Sequence, residues 1–152
     1  MIRLCILFLM LIAVGNCKNL VGAPVDKSTE DPAVKEVAFQ TTHKMNQGCN
    51  CLQYRRIGKL VRASSQVVSR NSWKLDFYWG DTECSQYEVQ ELMMMKNLAS
   101  VPESLETRCP LKKDGQVELC SVRVWTKPWL HSFDITDRHC SPSTQEEMRS
   151  RR

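Results

Sequence analysis

Cysteine and histidine are the residues of this chain best suited to chemistry, and their spacing argues against catalysis and metal binding. His43, Cys49 and Cys51 lie close together in sequence, but no second ligand pair follows at the spacing that a zinc site needs. A Cys–His nucleophile is no better supported, because His131 borders a strand start and His139 a cysteine, where structural or solvated roles suffice. We therefore expect no enzyme, no metal and no cofactor.

A second kind of candidate site is the apolar tip of a turn. Serine and asparagine crowd the stretch Gln66–Arg70, a composition that predicts the tip of a β-hairpin. Val67 and Val68 stand in its middle, although a solvated tip gains nothing by exposing apolar side chains. Two interpretations remain open: the valines extend a strand into the sheet, or the tip enters something apolar.

Two other segments share this character. In Leu20–Pro24, an apolar pair precedes Gly22, which can let the backbone approach another surface closely. This segment is either an extended arm with a hinge or a plain flexible leader. Pro128 and Trp129 form the centre of a second predicted hairpin connection, Thr126 to Leu130.

The first residues have the composition of a secretory signal peptide. Arg3 supplies a positive start, and the apolar run from Leu4 to Val14 is too short to span a bilayer. Cleavage after Gly15 fits the small-residue rule, whereas cleavage after Cys17 leaves an even number of the eight cysteines. The even number of cysteines favours cleavage after Cys17, which gives a signal peptide over residues 1–17. Such a signal peptide predicts a secreted, extracellular protein.

The charge of the remaining chain is mild. Removing Arg3 lowers the formal net charge from +4 to about +3, which does not indicate a nucleic-acid partner. No second long apolar run points to a membrane. Residues 141–152, with three arginines near the end, are expected to form a flexible basic tail.

The elements that must position these segments can be read from periodicity. Asp31 and Pro32 predict a helix start, apolar residues at helical spacing follow, and Gly48 ends the pattern. Strict alternation from Trp73 to Trp79 predicts a half-buried strand, and Gly58 marks a bulge in the strand before it. With two later strands, the pattern favours an α+β fold with one long helix packed on an antiparallel sheet.

Taken together, Leu20–Pro24, Gln66–Val68 and Pro128–Trp129 resemble the secreted type 2 cystatins, over nearly all of residues 18–140. The resemblance implies a disulfide-stabilised, cystatin-like antiparallel sheet wrapped around one long helix. It also implies the disulfides Cys84–Cys109 and Cys120–Cys140.

The activity implied by this resemblance is reversible inhibition of papain-like, cathepsin-type cysteine proteases. The arm and the two tips would form a wedge that fills the protease cleft without offering a peptide bond for attack. The protease-binding residues carried over are Gly22, Gln66, Val67, Val68, Ser69, Arg70, Pro128 and Trp129.

The sequence departs from the family at several positions. Arg70 stands where the first loop usually ends in glycine, which either strains the turn or changes its shape. The stretch 85–107 is longer than usual, with a methionine-rich helix predicted over Tyr87–Leu98. Asn50 lies where many secreted cystatins carry a legumain-binding asparagine, but both of its neighbours differ.

These neighbours, Cys49 and Cys51, are too close in sequence to pair comfortably with each other. They could link two chains in a disulfide dimer or pair with a retained Cys17. A rival hypothesis to inhibition follows from Arg70: a secreted cystatin-like binding module with weak or no inhibition, in a reproductive-tract or defence role.

Overall fold

The fold is a five-stranded antiparallel sheet with one long helix across it. The structure, a computed structural model, describes residues 22–67, 71–95 and 101–150. The strands lie in sequence order, β1 to β5, each paired with the next. In chain order the elements are β1 (Val25–Lys27), α1 (Pro32–Gln47), β2 (Gln53–Val67), β3 (Asn71–Ser85), α2 (Gln86–Met95), α3 (Val101–Arg108), β4 (Val117–Lys127), a 3-10 turn (Pro128–Leu130), β5 (Ser132–Ser143) and α4 (Gln145–Ser150).

Helix α1 begins and ends where the sequence predicts. The Asp31 carboxylate accepts a 2.8 Å hydrogen bond from the backbone N–H of Ala33, and Pro32 occupies the first turn. At the other end, the backbone N–H of Gly48 donates to the carbonyl of Lys44. The buried face of α1 carries Val34, Val37, Ala38, Thr41, Thr42, Met45 and Asn46.

The main core lies between this face of α1 and the inner face of the sheet. Leu75, Phe77 and Trp79 of β3 are fully buried there, which confirms the predicted alternation. Cys120, Val122 and Val124 of β4 complete the inner face. This packing, rather than helix propensity, holds α1 across the sheet.

The outer face of the sheet is also covered at one end. Tyr78 falls among the polar residues of β3 in the sequence pattern, yet it is only 1% exposed. Tyr78, Val117 and Met148 form a second cluster, which brings α4 onto the outer face. A Cβ at Gly58 would lie 2.6 Å from both the Met148 sulfur and a Leu111 methyl carbon, so the predicted bulge glycine admits these side chains.

Residues 141–150 therefore differ from the expected flexible tail. Residues 141–143 complete β5, and 145–150 form α4 with Met148 buried. The arginines of this segment are typical of a solvated tail, but Met148, the buried apolar residue of the helix, docks it on the sheet. Residues 151 and 152 lie outside the described residues, as does the predicted signal peptide.

The described parts of the insert between Cys84 and Cys109, residues 85–95 and 101–108, contain two helices. Helix α2 starts one residue earlier than predicted, at a capping box in which Glu88 accepts hydrogen bonds from the backbone and hydroxyl of Ser85. Those hydrogen bonds lower the pKa of Glu88. Helix α3 was not predicted, and the expected end of α2 at Leu98 lies outside the described residues.

The structure contains the two disulfides that the resemblance implies. Cys84–Cys109 closes the insert, and Cys120–Cys140 joins residues that are directly opposed on β4 and β5. The sulfur atoms of Cys49 and Cys51 also contact each other, with Cα atoms 5.2 Å apart. The sequence predicted that the two are too close to pair comfortably, and the structure nevertheless brings their sulfur atoms together.

No helix among residues 22–67, 71–95 and 101–150 has both the length and the apolar composition of a membrane span.

A buried cation ties the helix end to the sheet. The side chain of Arg55 is 7% exposed; its Nη1 lies 2.7 Å from Glu118 and its Nε 2.9 Å from Asp81, although that N–H is not aligned for a hydrogen bond. The guanidinium also stacks 4.1 Å from the centre of the Trp79 ring. The side chain of Asn46 on α1 accepts a hydrogen bond from the Arg55 backbone N–H.

We expect Arg55→Ala to lower the free energy of unfolding by roughly 3 kcal/mol, because two partly buried carboxylates lose their cation. Urea unfolding followed by circular dichroism measures this loss. Arg62→Ala is the matched control, since it breaks an exposed ion pair with Asp26 and should cost less than about 1 kcal/mol. Equal losses in the two variants would contradict a structural role for the buried cluster.

Candidate functional site

The structure brings the arm and the two tips to the same end of the sheet. Val25 of β1 lies opposite Ser65 of β2, two residues before the hairpin tip. Asn71, the first residue of β3, pairs with Val67 on one side and with Thr126 of β4 on the other. We call Gly22, Gln66, Val67, Trp129 and Leu130 the loop edge.

The backbone conformation of Gly22 sets the direction of the N-terminal arm. Its φ of 98° lies in the left-handed region, which favours glycine. Its carbonyl accepts a hydrogen bond from the side-chain amide of Gln66, so the arm is attached to the first hairpin. Leu20 and Val21 lie outside the described residues.

The first hairpin exposes an apolar side chain, Val67, at its tip, where polar residues are usual. Val67 ends β2 with 62% of its surface exposed, although it is still paired with Asn71. The structure thus confirms that this valine belongs to the strand, and its exposure leaves it accessible to a partner; that the tip enters something apolar stays a prediction. Val68, Ser69 and Arg70 lie outside the described residues.

The second tip is a 3-10 turn that carries two exposed apolar side chains. Trp129 is 64% exposed and Leu130 62% exposed. His131 follows with a φ of 48°, the one positive φ of a non-glycine residue among the described positions. Sequence reasoning missed Leu130, although its place next to Trp129 in a predicted tip was a usable signal.

The loop edge exposes apolar surface, which suits it to binding a partner. Exposed apolar side chains mark a binding surface when they lie together, and Val67, Trp129 and Leu130 project from two adjacent segments. Hydrogen bonds of the sheet hold the strand ends that carry these segments, which lowers the entropy that binding must cost. This arrangement suits insertion into an apolar cleft rather than bond-making.

Asn50 lies far from the loop edge. It is exposed in the connection between α1 and β2, whereas Val67 is at the other end of β2. A strand of 15 residues spans about 50 Å at roughly 3.3 Å per residue. Any partner of Asn50 would therefore bind the opposite end of the molecule.

Comparison with known proteins identifies the family. No family model matches the sequence. L-cystatin of Tachypleus tridentatus is 27% identical over 136 residues, covering 89% of this chain and 93% of that protein. Cystatin-C of Macaca mulatta is 26% identical over 126 residues, covering 83% and 78%. The chain is a divergent member of the cystatin family.

The fold agrees with that of solved cystatins. The crystal structure of dimeric human cystatin F superimposes with a TM-score of 0.64 at 22% identity, covering 86% of this chain and 94% of that one. Cystatins as a family are inhibitors of cysteine proteases and are not enzymes.

We expect Gln66→Ala to loosen the arm, because it removes the hydrogen bond to the Gly22 carbonyl. Loss of one such bond should speed hydrogen exchange of the amides in residues 23–27 by roughly 2- to 10-fold. Exchange followed by mass spectrometry measures this. Gln40→Ala, which removes a glutamine side-chain hydrogen bond on the surface of α1, should leave the arm unchanged. Unaltered exchange in Gln66→Ala would show that the arm is held by other contacts.

Proposed function

We propose that this cystatin inhibits papain-like cysteine proteases of the cathepsin type by filling the active-site cleft with its loop edge. The observation that supports this most is the convergence of Gly22, Val67 and Trp129 at one end of the sheet. Val68, Ser69, Arg70 and Pro128 belong to the same proposed surface through their places in the two loops.

Blocking of this kind needs no reaction by the inhibitor. A cleft with apolar walls and a Cys–His pair at its floor would receive the exposed side chains of the edge. No peptide bond of the edge would need to take the geometry of a substrate, so the complex would dissociate with the inhibitor intact. The sheet holds the strand ends on either side of both loops, which reduces the entropy lost on binding.

Trp129 should contribute the largest share of the binding free energy. Trp129 is 64% exposed, so about 160 Å² of a surface of about 250 Å² can still be buried, and at about 25 cal/mol/Å² this gives an upper bound of roughly 4 kcal/mol before the costs of association. Leu130 and Val67 would each add a smaller amount, because their side chains are smaller. Tryptophan is also the residue type most enriched at binding hot spots.

We expect Trp129→Ala to raise the inhibition constant against papain by roughly 30- to 1,000-fold, the equivalent of about 2–4 kcal/mol. A continuous fluorogenic assay with active-site-titrated papain measures this. Leu52→Ala is the control, since Leu52 is 88% exposed just before β2, at the opposite end from the edge. A tryptophan variant as potent as the control would rule out this mode of binding.

The alternative function is a secreted module that binds a partner through its surface and inhibits proteases weakly or not at all, in a reproductive-tract or defence setting. Arg70 favours this alternative, because the family's glycine at the loop end is replaced by a bulky cation.

Titration of papain with wild type and with Arg70→Gly separates the two functions. If the edge inhibits and Arg70 strains the loop only in its protease-bound shape, Arg70→Gly should bind about 5- to 30-fold more tightly, corresponding to about 1–2 kcal/mol of strain. Identical constants would show that Arg70 does not limit inhibition. Absence of inhibition by both proteins would favour the binding module.

Secretion is proposed with this function, on the basis of the signal peptide predicted over residues 1–17. Legumain remains a second proposed target through Asn50, whose exposure at the opposite end would leave the loop edge free. A disulfide dimer through Cys49 or Cys51 would require the contact between these sulfur atoms to open.

A further inference from the structure

Cys49 and Cys51 close a small ring at the end of the molecule opposite the loop edge. Their sulfur atoms contact each other, and their Cα atoms are 5.2 Å apart, a separation typical of disulfides. Asn50 lies between them, in the connection from α1 to β2. Inhibition of a papain-like protease through the loop edge gives this pair no task.

The other two disulfides are secured by the fold around them. Cys120 and Cys140 are directly opposed on β4 and β5. Cys84 ends up beside Cys109 in a second buried cluster, which packs strand β3 against the insert. Cys109 and Cys120 are both 0% exposed. If either bond opened, the surrounding structure would keep its two sulfur atoms together, so the bond would form again.

The pair of Cys49 and Cys51 lacks these safeguards. Both residues are half-buried, and neither belongs to a helix or a strand. They are 2 positions apart, whereas 25 and 20 positions separate the other pairs. Closing so short a loop removes little entropy from the unfolded chain, so this pair stabilises the fold least. Accessible disulfides are also the ones that exchange most readily with external thiols.

We propose that Cys49 and Cys51 form a thiol-exchange site for low-molecular-weight thiols such as glutathione. The incoming thiolate attacks the sulfur of Cys51, because Cys49 packs against the main core. The sulfur of Cys49 leaves and takes up a proton, and the incoming thiol remains on Cys51 as a mixed disulfide. A second small thiol then attacks the sulfur of the first. This step frees both cysteines as thiols, and the two small thiols are oxidised to their own disulfide.

Opening the ring changes how Asn50 is presented. The 5.2 Å between the flanking Cα atoms keeps the chain bent, whereas an extended chain spans about 7 Å over two residues. Extended chains can pair with the edge of a binding cleft, and a bent chain cannot. Thiol exchange therefore converts an exposed, bent Asn50 into one that can extend into the cleft of an asparagine-specific protease. Only this consequence rests on the proposed role of Asn50.

Graded mixtures of reduced and oxidised glutathione test the exchange on the mature wild-type protein, with acid quenching, alkylation and peptide mass spectrometry as the readout. Cys49 and Cys51 should open at a concentration of reduced glutathione roughly 10-fold or more below that needed for either of the other disulfides. The mixed disulfide should be found on Cys51. No protease takes part, so this result is independent of the proposed inhibition.

Two single variants form a matched pair that tests the assignment of the attacked sulfur. Cys49→Ser leaves Cys51 as a free thiol, and Cys51→Ser leaves Cys49. With oxidised glutathione, Cys49→Ser should acquire glutathione at least about 5-fold faster, because its remaining thiol is the more accessible one. Circular dichroism checks that both are folded, as expected for residues outside the helices and strands.

The double variant Cys49→Ser, Cys51→Ser represents the open ring and tests the effect on Asn50. An asparagine-specific endopeptidase, used without added thiol, should cleave the double variant after Asn50 at least about 10-fold faster than wild type, because the bend no longer has to be opened.

The proposal is overturned if either of the other disulfides opens at the same glutathione concentration or a lower one. Labelling of Cys49 and Cys51 without any added thiol would also overturn it, since the two would then not be paired. Equal uptake of glutathione by the two single variants would overturn the assignment of Cys51. Equal cleavage of wild type and the double variant would overturn the effect on Asn50.

Discussion

The strand register at the tip of the first hairpin is the constraint on which the loop edge depends. Asn71 is bonded between Val67 and Thr126, and this double pairing fixes where the β2–β3 turn lies relative to the turn after β4. A slip of one residue would send the side chains of a strand to the opposite face and displace the tip. The relative positions of the residues in the loop edge therefore depend on strand pairing in the sheet as well as on the loops.

Packing of α1 protects that register. The helix buries its apolar face against the inner residues of β3 and β4, so a shifted strand would expose part of the main core. At the far end, Arg55 links β2 to Asp81 and Glu118 on the next two strands. Apolar packing thus secures the middle of the sheet, and a charge cluster secures the end opposite the loop edge.

The two ends of the molecule consequently differ in chemistry. One end has exposed apolar tips held by backbone pairing, and the other has a cavity, the Asn50 loop and an ion cluster. The length of β2 keeps the two ends apart, so a partner at one end leaves the other accessible. A divergent cystatin can in this way carry an insert without disturbing its loop edge.

Sequence reasoning predicted the features that depend on local chemistry. The Asp31–Pro32 helix start, the alternation of β3 and the Gly58 bulge each carry a signal within a few residues. The capping box of Ser85 and Glu88 was equally readable and would have placed the start of α2.

What escaped prediction depends on distant residues. An arginine in a strand is ordinarily expected to face solvent. Arg55 is buried because Asp81, Glu118 and Trp79, all distant in sequence, surround its guanidinium. Tyr78 lies among polar neighbours and is buried because α4 returns to cover it. The convergence of the arm with both tips came from family resemblance, since spacing along the chain does not reveal strand order.

Hydrogen exchange of the protein with and without bound papain tests most directly whether the loop edge acts as one surface. If it does, exchange should slow together in residues 22–27, 65–67 and 125–131, and should not change in residues 49–53 and 86–94. Protection confined to one of the three segments, or found at the Asn50 end instead, would contradict a shared binding edge.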